Sequence, residues 1–151
     1  MGKKAEERRP QSHMEVEGLL CKNFYKRFGK AVLPMIEEVF RQWGRVLGER
    51  MKKKLGDVDF KTAVLTYIKP ATKREPKAEI IEATEKRVEL KVYACPYILN
   101  GQGQELCEAM MAMDREIINA IIKDEVRLEL PKTLAKGDDY CHAILTRLTT
   151  A

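Results

Sequence analysis

Three short segments in the last two-fifths of the chain hold the side chains best suited to chemistry. They are Cys95-Pro96-Tyr97, a stretch of helical periodicity carrying Cys107 and Asp114, and Gly137-Asp138 followed by Cys141-His142. Thiolates are nucleophiles and metal ligands. Carboxylates serve as general bases or hold cationic groups, and histidine moves protons near neutral pH. Pro96 keeps Cys95 extended and stops a strand, which places the thiol at the rim of a sheet. The competing reading of Cys95 is a small buried hydrophobe.

Over residues 104–123 the row Leu106, Met110, Met113, Ile117 and Ile121 has the spacing of one apolar helical face. A second row, Cys107, Met111, Asp114 and Ile118, runs beside it at steps of four, three and four. The methionines read first as core. A carboxylate in such company must be paired with a donor or must face a pocket. Asp138 lies in a Gly-Asp-Asp turn, where it caps the turn or contacts a ligand. Cys141 and His142 follow one another in a strand, so they face opposite sides and at most one of them meets the helix.

The elements that must position these groups change period along the chain. Residues 1–14 have almost no apolar content and read as a disordered tail or a tag remnant, with Ser12-His13-Met14 as the suspect junction. Residues 15–151 read as a single α+β domain. A short helix over 15–28 carries Leu19, Leu20, Phe24 and Phe28 on one side. A long amphipathic helix over 30–55 follows, with Gly44 and Gly48 marking close packing against another element. A third helix starts at Asp57 and runs to residue 68, and 70–76 reads as a charged linker. Strands are expected over 79–84 and 86–94 as a hairpin, over 126–130, and over 141–148. The architecture expected is N-terminal helices packed on a mainly antiparallel four-stranded sheet with one inserted helix.

Composition excludes several classes. The chain has 151 residues, 44% hydrophobic and 34% charged, with a net charge of +5. No stretch approaches the ~20 apolar residues of a membrane span, and no secretory signal is visible. A cytoplasmic protein with free thiols is expected. The basic clusters lie beside acids and lack interleaved aromatics, so a nucleic-acid partner is not expected. The cysteine spacings match no zinc pattern, and there is no P-loop or dinucleotide fingerprint. The reading is therefore no bound metal and no cofactor, with a small-molecule ligand as partner and a homo-oligomer left open.

The order Cys-Pro-Tyr, a helix with Cys and Asp, then Leu-x-x-Gly-Asp-x-x-Cys-His resembles the L-2-amino-thiazoline-4-carboxylic acid hydrolase family over roughly residues 86–148. More distantly, the layout is similar to the vinyl-reductase-like ligand-binding domains. The first resemblance implies a hydrolase that opens a small cyclic amidine or amide-like ring, such as 2-aminothiazoline-4-carboxylate, by adding water to an amidine-like carbon. The family's recurring elements fall here on Cys95, Pro96, Asp114, Gly137, Asp138 and Cys141. On this reading Cys95, Asp114, Cys141 and His142 are the catalytic candidates, and Tyr97, Cys107, Met111 and Asp138 contact the ligand. Two positions depart from the pattern. Met111 stands where the family often has a cysteine, and Ala143-Ile144 where an aromatic residue often follows. The second resemblance implies a non-catalytic sensor or carrier of small molecules.

Overall fold

A computed structural model of the chain describes residues 9–148; of the tail expected over 1–14, residues 1–8 lie outside the described residues. The fold is α+β. Helix α1 (His13–Phe28) begins inside the expected tail, because the Ser12 hydroxyl accepts the Glu15 N–H at 3.1 Å and caps it. One 3₁₀ turn (Gly29–Val32) leads into α2 (Leu33–Leu55), with Pro34 in its first turn. Helix α3 (Phe60–Lys73) is capped by Asp59 rather than Asp57, which instead pairs with Lys52 at 2.7 Å. It runs through Pro70, so the first half of the expected linker is helical. A proline near a helix C-terminus already has helical φ and forfeits a single donor.

The sheet follows: β1 (Glu79–Ala83), β2 (Arg87–Val92), helix α4 (Gln104–Ile122), β3 (Val126–Lys132) and β4 (Cys141–Arg147). Strand order is β1-β2-β4-β3, and every pair is antiparallel. The β1–β2 turn closes with Thr84 N–H on Arg87 O at 2.8 Å. Strand β2 stops at Val92, opposite Cys141, earlier than the alternation of side chains suggests. Cys95 therefore lies in the turn beyond the strand. Strand β3 continues past its expected end through Pro131, which an edge strand tolerates at a register irregularity.

Val88, Leu90, Ala143 and Leu145 are buried and define the core face of the sheet. Helix α4 lies on that face and α2 packs along α4. A Cβ on Gly44 would stand 2.5 Å from Met113 O, and one on Gly48 2.7 Å from Ile117 O. Both glycines thus serve backbone-to-backbone packing, as their spacing suggests. Helix α1 behaves differently from its pattern. It meets the body at buried Gly18 and through the partly buried Met14, Cys21 and Tyr25, while Leu20, Phe24 and Phe28 are exposed.

Candidate functional site

Asp114 sits on the flank of α4 that faces α3, where its Oδ1 accepts the hydroxyl proton of Tyr67. Tyr67 continues the apolar row Phe60, Ala63, Val64 of α3, so the helix carries its hydroxyl inward to where a partner is required. The carboxylate is mostly enclosed by apolar neighbours. Burial raises its pKa from 3.8 to about 6; the hydrogen bonds from Tyr67 and from its own backbone only moderate the rise. The tyrosine is pushed well above its ordinary range, first by burial and then by the Asp114 charge.

Tyr97 reaches the same cluster from the β2–α4 connection. It is buried, meets Phe40 edge-on at 6.0 Å between ring centroids, and has a raised pKa from burial first and the Asp114 charge second. The turn that delivers it is taut. Ile98 N–H bonds Cys95 O at 3.1 Å, and Ile98 adopts φ 54, a left-handed conformation disfavoured for a β-branched residue. Buried Tyr97 and Leu99 pin the chain on either side of it.

Of the thiols, Cys107 is the one on which the Asp114 charge acts. Cys107 on α4 is buried, with its pKa pushed up to about 12, first by burial and then by Cys141, Cys95 and Asp114. Cys141 opens β4 on the core face. Its Sγ accepts the Leu134 N–H at 3.3 Å, a bond that opposes the larger upward push of burial. Cys95 is half-buried and acts electrostatically on Tyr97, Cys107 and Cys141. Cys95, Cys107 and Cys141 thus act on one another, and Asp114 acts on Cys107 and Tyr97. The thiols at 107 and 141 stay protonated at neutral pH, which suits a polar wall better than a resting nucleophile. Among the described residues no three His, Cys, Asp or Glu side chains are grouped to hold a metal ion.

The other candidates go elsewhere. His142 is on the outer face of the sheet, where Nε2 lies 2.5 Å from Glu89 Oε1 and Glu89 also takes Arg87 at 3.1 Å. It does not join the thiols, because alternation along β4 sends neighbours to opposite faces. Asp138 closes its own loop, accepting the Thr133 N–H at 2.9 Å and lying 3.4 Å from Lys136 Nζ. Met111 lines a different feature, a groove of about 500 Å³ between α2, α4 and β3. Leu33, Leu128 and Leu130 form its apolar wall, and Glu37, Glu105, Glu108 and Arg115 its polar one. None of the thiols, nor Asp114, lines it. Tyr67 was not among the sequence candidates, although a tyrosine on the buried stripe of a helix signals a hydroxyl in need of a partner.

Comparison with known proteins gives the family. The model of the L-2-amino-thiazoline-4-carboxylic acid hydrolase family matches residues 9–145, so the chain belongs to that family over nearly its whole length, N-terminal helices included. Curated proteins give no match. Two solved structures share the fold at low identity. One is a trafficking protein particle complex subunit 3 from Naegleria fowleri, covalently bound to palmitic acid, at TM-score 0.63 and 13% identity, covering 90% of this chain and 95% of that one. The other is the phenol-responsive sensory domain of the transcription activator PoxR with phenol, at TM-score 0.62 and 11% identity, covering 94% and 78%. No described helix is long and apolar enough to cross a membrane.

Proposed function

We propose that this protein hydrolyses a small cyclic amidine or amide-like compound of the 2-aminothiazoline-4-carboxylate type, with Asp114 as the acid–base group. Family membership supports the reaction class. The observation that carries the assignment is a carboxylate whose burial moves its proton affinity to about 6, within reach of the working pH of a general base. In this reading the ring is taken up as its amidinium, and Asp114 takes a proton from water as the oxygen bonds the amidine carbon and the C=N pair moves onto nitrogen. The ring carbon–sulfur bond then breaks as the carbonyl forms, the hydroxyl proton passes to solvent, and the departing sulfur receives the proton held by Asp114. Tyr67 holds the carboxylate in one orientation, and Cys95 and Cys141 bound the space for the sulfur. The test is incubation of the pure protein with 2-aminothiazoline-4-carboxylate and close analogues, following thiol release. Turnover lost in Asp114→Asn and retained within tenfold in Cys95→Ser supports the assignment. No release from any analogue by the wild type counts against it.

A second reading, small-molecule binding without turnover, is favoured by the α2–α4–β3 groove. Its volume suits a compact organic ligand, and both fold relatives hold small organic molecules. Saturable binding of an analogue that is weakened by Met111→Ala but leaves the analogue intact after prolonged incubation establishes this reading over the first.

A further inference from the structure

The groove between α2, α4 and β3 is charged at two separated places. Arg115 stands two turns beyond Glu108 on the same face of α4, about 10 Å along the axis, with Met111 between them. Glu37 belongs to the acidic end. Gly44 packs at Met113 and Gly48 at Ile117, so α2 and α4 advance in the same direction. Two turns before Gly44, Glu37 therefore comes level with the first turns of α4, where Glu108 lies. The groove is acidic near the start of α4 and basic two turns further on. Met111 and Ala112 occupy the stretch between, and leucines of α2 and β3 complete an apolar lining.

The protein's own side chains leave most of these charges uncompensated. Glu105 is taken by Lys30 at 3.3 Å and by the Tyr25 hydroxyl at 3.2 Å. Glu108 receives only the neutral Gln104 amide, at 2.7 Å, among the described residues. Glu37 and Arg115 enter no ion pair or side-chain hydrogen bond among the described residues. An acid and a base held too far apart to pair with each other suit a ligand that carries the opposite charges at the same spacing. Water competes for a singly charged ion at either end. A ligand whose apolar body displaces water from the groove strengthens the contacts at both ends. A compact ring acid, with its two charges a few bonds apart, reaches one end only. We propose that the α2–α4–β3 groove binds an elongated zwitterion of the ω-amino acid type. Its ammonium group lies at the Glu37 and Glu108 end, its carboxylate on Arg115 and its unbranched chain over Met111. This rests on the second reading above, in which the groove is a ligand site, and names the class of ligand.

Isothermal titration calorimetry of the full chain near neutral pH tests this, with 8-aminooctanoate, octanoate, 1-aminooctane and 4-aminobutanoate as probes. The expected result is that 8-aminooctanoate binds about tenfold more tightly than each of the other three, the worth of one charge-assisted hydrogen bond. Arg115→Gln should weaken 8-aminooctanoate about tenfold and leave 1-aminooctane unchanged. Glu37→Gln/Glu108→Gln should weaken both of these and leave octanoate no weaker. The probe that each variant still binds shows that the variant is folded. Octanoate or 1-aminooctane binding as tightly as the zwitterion, and weakened by Met111→Ala, overturns the ligand class while the groove stays a ligand site. Binding of 8-aminooctanoate that ignores Met111→Ala and the charge variants overturns both the class and the second reading. Absence of binding by 8-aminooctanoate overturns the proposal, and the second reading falls with it only where the thiazoline analogues fail to bind as well.

Discussion

On one flank of α4, Asp114 bonds Tyr67 among buried side chains, and desolvation sets its proton affinity. On the other, its sequence neighbour Arg115 lines an open groove with three glutamates. One helix thus offers a closed flank that tunes a single titrating group and an open flank that presents several charges. In the proposed function the closed flank supplies reactivity by excluding water, and the open flank selects among ligands by leaving charges accessible.

The sharpest way to break this comparison is at the closed flank. Asn at position 114 keeps an acceptor for Tyr67 but cannot take a proton. Asp114→Asn is expected to lower turnover about 10²- to 10⁴-fold. In the wild type, kcat/KM should rise with pH and level off above about 6, where the carboxylate is ionised. A flat profile would separate Asp114 from the chemistry.

The seam that fixes the height of α4 is the next target. Gly44→Leu places a side chain against Met113 backbone that stands 2.5 Å from even a Cβ. A loss of about 3 kcal/mol is expected from overpacking, read by denaturant unfolding. An unchanged midpoint would mean that α2 and α4 separate freely.

Linkage gives a smaller effect of opposite sign at the site itself. The folded state retains the Asp114 proton up to about pH 6, whereas the unfolded chain releases it near 3.8. Ionised Asp114 therefore destabilises the fold, with no effect below pH 3.8 and the full effect above 6. Asp114→Asn should be more stable than wild type at pH 8 by about 2 kcal/mol, a difference that fades as pH falls through that window. Equal stability at pH 8 would contradict the burial of the charge. The smallest effect expected is for His142→Gln, where the amide keeps a donor for Glu89. Turnover should change less than about twofold, because this pair faces away from the thiols, and stability by about 1 kcal/mol, because the pair is mostly buried but the amide keeps one hydrogen bond. A hundredfold loss would put His142 back at the site.

Much of this comparison was legible in residue spacing. The period-two run over 86–94 and the tight turn before it announced the hairpin, and the double stripe on α4 placed Asp114 and Cys107 on one side. Gly44 and Gly48 announced the α2–α4 seam. What was not legible depends on partners far along the chain. Tyr67 and Asp114 are 47 residues apart, and Glu89 and His142 are 53 apart. No local period encodes such pairings. The end of β2 at Val92 is likewise set by where β4 begins. The apolar row of α1 was legible as one side of a helix, but spacing reports a face and not what lies opposite it.

Gly18 carries a consequence for communication through the molecule. A Cβ there would stand 2.1 Å from Tyr97 O, so α1 rests directly on the peptide of the turn that presents Cys95 and Tyr97. With no side chain between them to absorb displacement, the seat of α1 and the setting of that turn form one mechanical coordinate. A ligand that favours one setting of Tyr97 then biases α1, and whatever engages α1 alters that ligand's affinity by the same factor, since coupling between two binding events is reciprocal.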